Sequence, residues 1–324
     1  VFLLLAFLVA HLLIGALLPY RREYRPALWK AVHAVAGALG RKLNRRMRKE
    51  RQLSGRGFVA LALLGLAGFG LDFLLKDAAR MAGKSWLYAF PLMAVSLSGM
   101  MPVKVMREVA TRLEKKQNTA AARALQPYRP EDLSQGEEHL VVRKALEFGA
   151  LSFMRYFVAP CFYFLALGTT GLSLYVVVIA AGEAWELLRQ EHFTFARWAR
   201  AAEKLLNIIP ALLTLFMLSL ASLFVSRANS LRAVKIAATQ GARFSSLSRG
   251  IVVGAMAGSL GVTLGGPAKY RGSGIPETHW IGPEGSSARL NSADIKRGRM
   301  LIFVAFLCAI AFLATALMVK IRFS

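Results

Sequence analysis

The chain has 324 residues, 56% of them hydrophobic, and a mean hydropathy of +0.45. Soluble domains carry roughly 45–50% apolar residues, and here the excess sits in blocks, which excludes an ordinary water-soluble enzyme. The 42 Lys and Arg against 18 Asp and Glu give a formal charge of +24. No aromatic pattern of an RNA-reading sheet accompanies that surplus, so it reads as positive-inside bias and contact with anionic headgroups, and no nucleic-acid partner is expected.

The first apolar block, residues 1–19, is near the roughly 20 residues that cross a hydrocarbon core. It has neither a basic n-region nor a small-residue cleavage site, so it reads as a span and not as a signal peptide. Residues 20–56 form a dense basic loop that includes Arg21, Arg22, Arg25, Lys30, Arg41, Lys42, Arg45, Arg46, Arg48 and Lys49. The expectation is one or two amphipathic helices at headgroup level on the cytoplasmic side. A second span is predicted over 57–75, and 85–101 is a weaker, amphipathic candidate.

Residues 102–146 are polar and mixed in charge and read as a cytoplasmic loop, with a helix through KVMREVATRLEKKQNTAAARAL and another starting near Asp132–Ser134. Segments 148–168 and 170–188 are predicted spans, joined by Gly168-Thr169-Thr170-Gly171 into an antiparallel hairpin. A further candidate covers 208–226. Residues 227–299 form a Gly-rich, moderately basic polar region, and the last span is predicted over 301–319. Positive-inside logic prefers 227–299 in the cytoplasm, so either 85–101 or 208–226 is expected to stop short of a full crossing. The prediction is an all-α polytopic integral membrane protein of the inner (plasma) membrane, a single domain over 1–324. It would have about 5–7 membrane helices plus amphipathic interfacial helices.

Cys161 and Cys308 lie in apolar segments without metal-ligand spacing, and the histidines (His11, His33, His139, His192, His279) are scattered, so no metal site is predicted. The run Gly250, Gly254, Gly258, Gly261, Gly265, Gly266 matches no phosphate-loop pattern and reads as close helix packing. Ionisable residues at bilayer depth are costly and therefore informative, and His11, Asp72, Arg155 and Glu183 qualify. Arg155 and Glu183 each lie 14 residues from Thr169 on opposite arms of the predicted hairpin. At about 1.5 Å per residue both sit roughly 21 Å from the turn, so the prediction is an intramembrane ion pair that fixes helix register.

Several segments resemble the CobD/CbiB family of membrane proteins, which includes adenosylcobinamide-phosphate synthase. Ala255–Gly266 with Pro267 and Tyr270 is similar to a small-residue run ending in G-G-P-x-x-Y-x-G, and LNSADIKRGRML (290–301) to the segment that follows it. Asn207 and Pro210 in LLNIIPALLT resemble N-x-I-P-A-R-L-T, Ala159 and Pro160 resemble A-P-L-F-W, and LNRRMRKERQLSG (43–55) resembles a basic stretch before the second span. The resemblance implies attachment of aminopropanol or its phosphate to a corrinoid substrate, cobyric acid, with ATP and magnesium. By the same resemblance Glu147 and Asn207 are the matched catalytic positions.

The departures cluster on polar residues. The family's E-S-L-A-E-N-x-x-D is here Glu147 through Arg155, with Leu151, Ser152 and Arg155 at the second Glu, the Asn and the Asp. N-T-x-D is Val178-Ile179-Ala180-Ala181, N-A-G-W-P-E is Ser248 through Val253, and the Arg of P-A-R-L-T is Leu212. The pattern predicts a shell kept without its polar contents and degenerate for synthesis. SFMRYFVAPCFYF (152–164) also resembles AmpE, a membrane relative of the family, which implies as the alternative a non-catalytic regulatory or scaffold protein. A protein partner and a second copy of the chain both stay open as further contacts.

Overall fold

The structure, a computed structural model, describes residues 25–44, 49–83, 86–188, 194–268 and 279–322. The expected first span with His11, the basic residues Arg21, Arg22, Arg45, Arg46 and Arg48, and the motif residue Tyr270 lie outside the described residues. In chain order the helices are α1 (Ala27–Leu43), α2 (Glu50–Met81), α3 (Trp86–Ser96), α4 (Met101–Glu114) and α5 (Asn118–Leu125), then α6 (Glu138–Phe153) and α7 (Ala159–Leu187). After these come α8 (Arg197–Leu206), α9 (Ile208–Ala221), α10 (Ser230–Gln240), α11 (Leu247–Leu260) and α12 (Ser292–Arg322). One two-residue antiparallel pair, β1 (Leu264–Gly265) with β2 (Trp280–Ile281), interrupts the helical pattern.

A reversal at Gly168 sets the architecture. Its φ of 68° and ψ of −153° belong to a region almost reserved for glycine, and the chain folds back there inside α7. Tyr163 and Tyr175 consequently stack across the two arms with centroids 4.9 Å apart, although twelve residues of straight helix would separate them by about 18 Å. At the turn end Asp72 of α2 is buried and accepts hydrogen bonds from Tyr88 Oη (2.6 Å), Thr170 Oγ1 (2.6 Å) and Ser173 Oγ (3.3 Å). A carboxylate in an apolar layer is held there by hydroxyl donors.

α1 packs on the returning arm of α7, where Trp185 Nε1 donates to Ala36 O at 2.8 Å and Gly40 lets the Trp185 ring approach. α4 and α12 enclose α6, and Gly149 accommodates Met106 and Ile302. In α11 Gly250, Gly254 and Gly258 abut Gly241, Ala237 and Arg232, so α10 and α11 make backbone-close contact. The glycine run beyond Gly266 leads to residues 269–278, outside the described set.

Four helical stretches are long and apolar enough to cross a membrane: 50–81, 88–114, 138–187 and 292–315; α8 with α9, bent by 49°, makes a fifth if counted as one. The longest contains the Gly168 reversal and supplies two arms. Of the two candidates one of which was expected to stop short, 208–226 is the shorter: α9 ends at Ala221 after 14 residues, short of a crossing by itself, and turns follow. Large exposed apolar side chains gather on α2 (Phe58 through Leu75), the Gly168 end of α7 (Leu165, Leu167), α9 (Ile209, Leu212, Phe216) and α12 (Leu307, Phe312). This is the surface a helix bundle turns toward lipid.

Candidate functional site

A proline creates the local geometry of the site. Pro160 has no N–H, so the carbonyl of Tyr156 is released from the helix ladder and accepts Ser98 N at 2.9 Å from the break between α3 and α4. Just before it, Met154–Val158 widens into a π turn, closed by Ala159 N–H to Met154 O. π turns are frequent where a helix must present side chains to a site. Here the turn carries Arg155 and Tyr156.

Arg155 Nη1 donates to Glu183 Oε1 at 3.1 Å, and its Nη2 donates to Glu203 of α8. Tyr156 Oη donates to Glu183 Oε2 at 3.0 Å, and Arg25 Nε lies 3.9 Å from the same oxygen. Arg249, in the first turn of α11, reaches Glu186 Oε2 at 3.2 Å and Glu203 Oε1 at 3.2 Å. Glu183 and Glu186 occupy the last two turns of α7, where carboxylates oppose the helix dipole, so these guanidiniums also offset an unfavourable helix end.

A second cluster adjoins the first. Gln126 folds the connection 126–133 around its amide: Nε2 donates to Glu131 O (2.8 Å) and Oε1 accepts Leu133 N (3.0 Å). This positions Arg129, which donates to Glu131 and, at 2.8 Å, to Glu147 Oε2. Lys144, buried on α6, donates to both Glu147 oxygens at 2.9 and 3.0 Å, and Gly265 N of β1 donates to Glu147 Oε1 at 3.0 Å. Burial would raise the Glu131 carboxyl, but Arg129 and then Lys144 outweigh it and hold the group below its ordinary range.

Both clusters line one cavity of about 60 Å³, together with Tyr128, Leu151, Phe244 and Val253. Within the bonded network Arg25, Arg129, Lys144, Arg155 and Arg249 are set against Glu131, Glu147, Glu183, Glu186 and Glu203, and the formal charges cancel. Arg200 and Lys204 line an adjoining pocket beside Arg249, which biases that approach toward anions.

Arg155 and Glu183 thus lie at ion-pair distance, but in a network that also holds Glu203, Arg249 and Arg25, and at the end of the hairpin away from Gly168. Glu147 faces the same cavity. Asn207 does not line it: fully buried at the α8–α9 bend, it accepts Tyr175 Oη at 2.9 Å, and its Nδ2 has no partner among the described residues. The expectation of a shell emptied of polar groups is corrected. Leu151, Arg155 and Val253 do replace acids expected from the resemblance, yet Glu183, Glu186, Glu131 and Arg249 fill the space with another charged set, and Glu203 lines the adjoining pocket. Glu186 was within reach of sequence reasoning, one turn beyond Glu183. Glu131, Glu203 and Arg249 come from separate elements that no periodicity links.

Magnesium, implied by the resemblance, does not fit this set. A divalent ion needs oxygen ligands free to face it, and each carboxylate in the network already faces guanidinium or ammonium groups. Among the described residues no three His, Cys, Asp or Glu gather as metal ligands.

Comparison with known sequences adds an independent line. The family profile described as "CobD/Cbib protein" matches residues 4–320. A protein named "Cobalamin biosynthesis protein CobD" from Brucella anthropi is 32% identical over 142 residues, 44% of this chain and 42% of that protein. Proteins of the same name from Sinorhizobium sp and Stutzerimonas stutzeri are 27% identical over 282 residues (85% of this chain, 87% of that protein) and 28% over 246 (75% and 78%). The match thus spans less than half of the first relative's length and most of the other two. No solved structure matches. Since the profile runs through both arms of the Gly168 hairpin, the charged cleft and the terminal helix, the chain belongs to the CobD/CbiB family.

Proposed function

We propose that this protein is a plasma-membrane component of cobalamin metabolism that holds an acidic end of a corrinoid-related ligand in the charged cleft and does not itself drive ATP-dependent amide formation. One observation carries the reading. Three of the positions where the family resemblance expects acids are Leu151, Arg155 and Val253, all on the cleft wall, while the carboxylates present there are matched by cations. Joining an amine to a carboxylate through ATP needs metal-held phosphate and stabilisation of developing negative charge.

What the cleft can do is exchange one anion for another. Arg249 is the most exposed cation of the network, at 27%, and shares its guanidinium between Glu186 and Glu203. An incoming carboxylate or phosphate can replace either as a bidentate partner. A cavity of about 60 Å³ admits such a group but not a corrin macrocycle, which would remain outside.

The second reading is a non-catalytic AmpE-like regulatory or scaffold protein. It is favoured by segment 152–164, which carries that resemblance and supplies Arg155 and Tyr156 to an internally neutralised network. One experiment separates the readings. The gene is expressed in a bacterium lacking its cobinamide-phosphate synthase, with the protein verified in the membrane, and cobyric acid binding to those membranes is measured beside growth. The expected result is no rescue of growth and saturable binding weakened about tenfold or more by Arg249→Gln. Rescue overturns the non-synthase reading, and absence of binding leaves the scaffold reading.

A further inference from the structure

On the far side of segment 129–133 from the charged cleft, Arg143 of α6 lines a separate cavity of about 210 Å³ with Asp132, Leu133, Gly136, Leu140 and Pro267. Its side chain is an anomaly. Arg143 is 8% exposed, its guanidinium carbon sits 4.6 Å from the centroid of the Trp280 ring, and its Nε is buried without a hydrogen-bond acceptor. Glu147 and Glu137 attract it through space, but among the described residues neither forms an ion pair with it and its Nε has no acceptor. The other cations on this side of the molecule, Arg129 and Lys144, are fully engaged.

Burying a guanidinium Nε without an acceptor is costly, and fixing the group's face against an indole leaves its N–H edge as a ready fork for a planar or tetrahedral anion. The wall opposes a polyanion. Glu137 is exposed at the start of α6, and Asp132 lies half-buried with Oδ1 accepting Ser134 N at 3.0 Å. A ligand with a single anionic group satisfies both constraints, and the volume suits one end of a small molecule and not a whole cofactor.

We infer that the Arg143–Trp280 pair is a second binding subsite, taking the carboxylate or phosphate monoester group of a small ligand. It is distinct from the Arg249 cleft, and it does not rest on the corrinoid reading. The geometry that builds it is local: β1–β2 pairing sets Trp280 opposite Gly265, whose N–H is fixed on Glu147, one helical turn from Arg143.

The test uses the full chain in phosphatidylcholine nanodiscs, titrated with inorganic phosphate at ionic strength held constant with chloride. Tryptophan fluorescence is compared with that of Trp280→Phe. The expected result is a saturable change carried by Trp280, absent in Trp280→Phe and shifted to about tenfold or more weaker affinity in Arg143→Gln. If Arg143→Gln does not fold, Arg143→Lys is read in its place; it keeps the charge but loses the stacked fork, and a clear weakening is expected. Discs containing phosphatidic acid distinguish the source: loss of the phosphate response there means a lipid headgroup fills the subsite, and persistence means a soluble ligand does. A response that is not saturable, or that is equal in wild type and both Arg143 variants, overturns the inference.

Discussion

Glu131 shows how much a buried carboxylate depends on the company it keeps. It is 2% exposed, and its charge survives burial because Arg129 and Lys144 outweigh desolvation. A group whose folded pKa is depressed contributes stability above its unfolded pKa, near the ordinary carboxylate value of about 4, and loses it as pH falls through the folded value. Glu131→Gln should therefore lower the thermal midpoint in detergent at neutral pH, corresponding to about 3 kcal/mol for breaking a buried pair. The gap from wild type should then narrow as the pH drops below about 4. A gap that stays constant as the pH falls well below that value would mean that Glu131 contributes packing and not charge. Only part of this chemistry was legible beforehand. Arg155 and Glu183 could be paired by their equal spacing about Thr169, because one turn relates them. Glu131 and its partner Arg129 sit in a loop whose shape depends on the Gln126 amide, and no spacing rule reports that.

At the scale of elements, glycine has two uses that a sequence cannot fully separate. In α11 Gly258 faces the backbone of Arg232 and Ala233 on α10, so a methyl group has nowhere to go. In α2 Gly70 faces open space, although it lies in an equally glycine-dotted stretch. Gly258→Ala should therefore destabilise by about 1–3 kcal/mol through overpacking. Gly70→Ala should be neutral or stabilising by up to about 1 kcal/mol through helix propensity. Paired thermal melts in one detergent check both, and equal shifts would mean that α10 and α11 are not in backbone contact. The four-residue spacing in α11 announced close packing, whereas the partner helix needed the structure. The hairpin at Gly168 was legible from its turn residues. The end of α9 at Ala221 was not, because Leu223 through Val225 continue the apolar run while the backbone already turns.

The whole molecule divides along its height. The exposed apolar residues of α2, α7, α9 and α12 make the lipid-type surface, and Gly168 closes one end of it. Toward the other end lie the ion network, then the start of α6, the 115–137 connection and residues 263–268 and 279–291, tied together by His139 Nδ1 to Leu290 O at 2.8 Å and Gly265 N to Glu147. The 115–137 connection and residues 279–291, far apart in sequence, therefore share one end, and the positive-inside rule predicts that this end faces the cytoplasm. Charged groups placed where the apolar surface gives way avoid the cost of the bilayer centre, which explains how a membrane bundle keeps so many of them. The prediction is topological. With Cys161 and Cys308 replaced by Ala, single cysteines at Gln135 and Glu284, both exposed, should react with an impermeant maleimide only after the plasma membrane is opened. Ala82→Cys, exposed where α2 ends on the Gly168 side, should react in intact spheroplasts. Labelling of Glu284→Cys from outside, with Gln135→Cys protected, would separate two segments that the hydrogen bonds join and would require the 227–299 region to cross the bilayer.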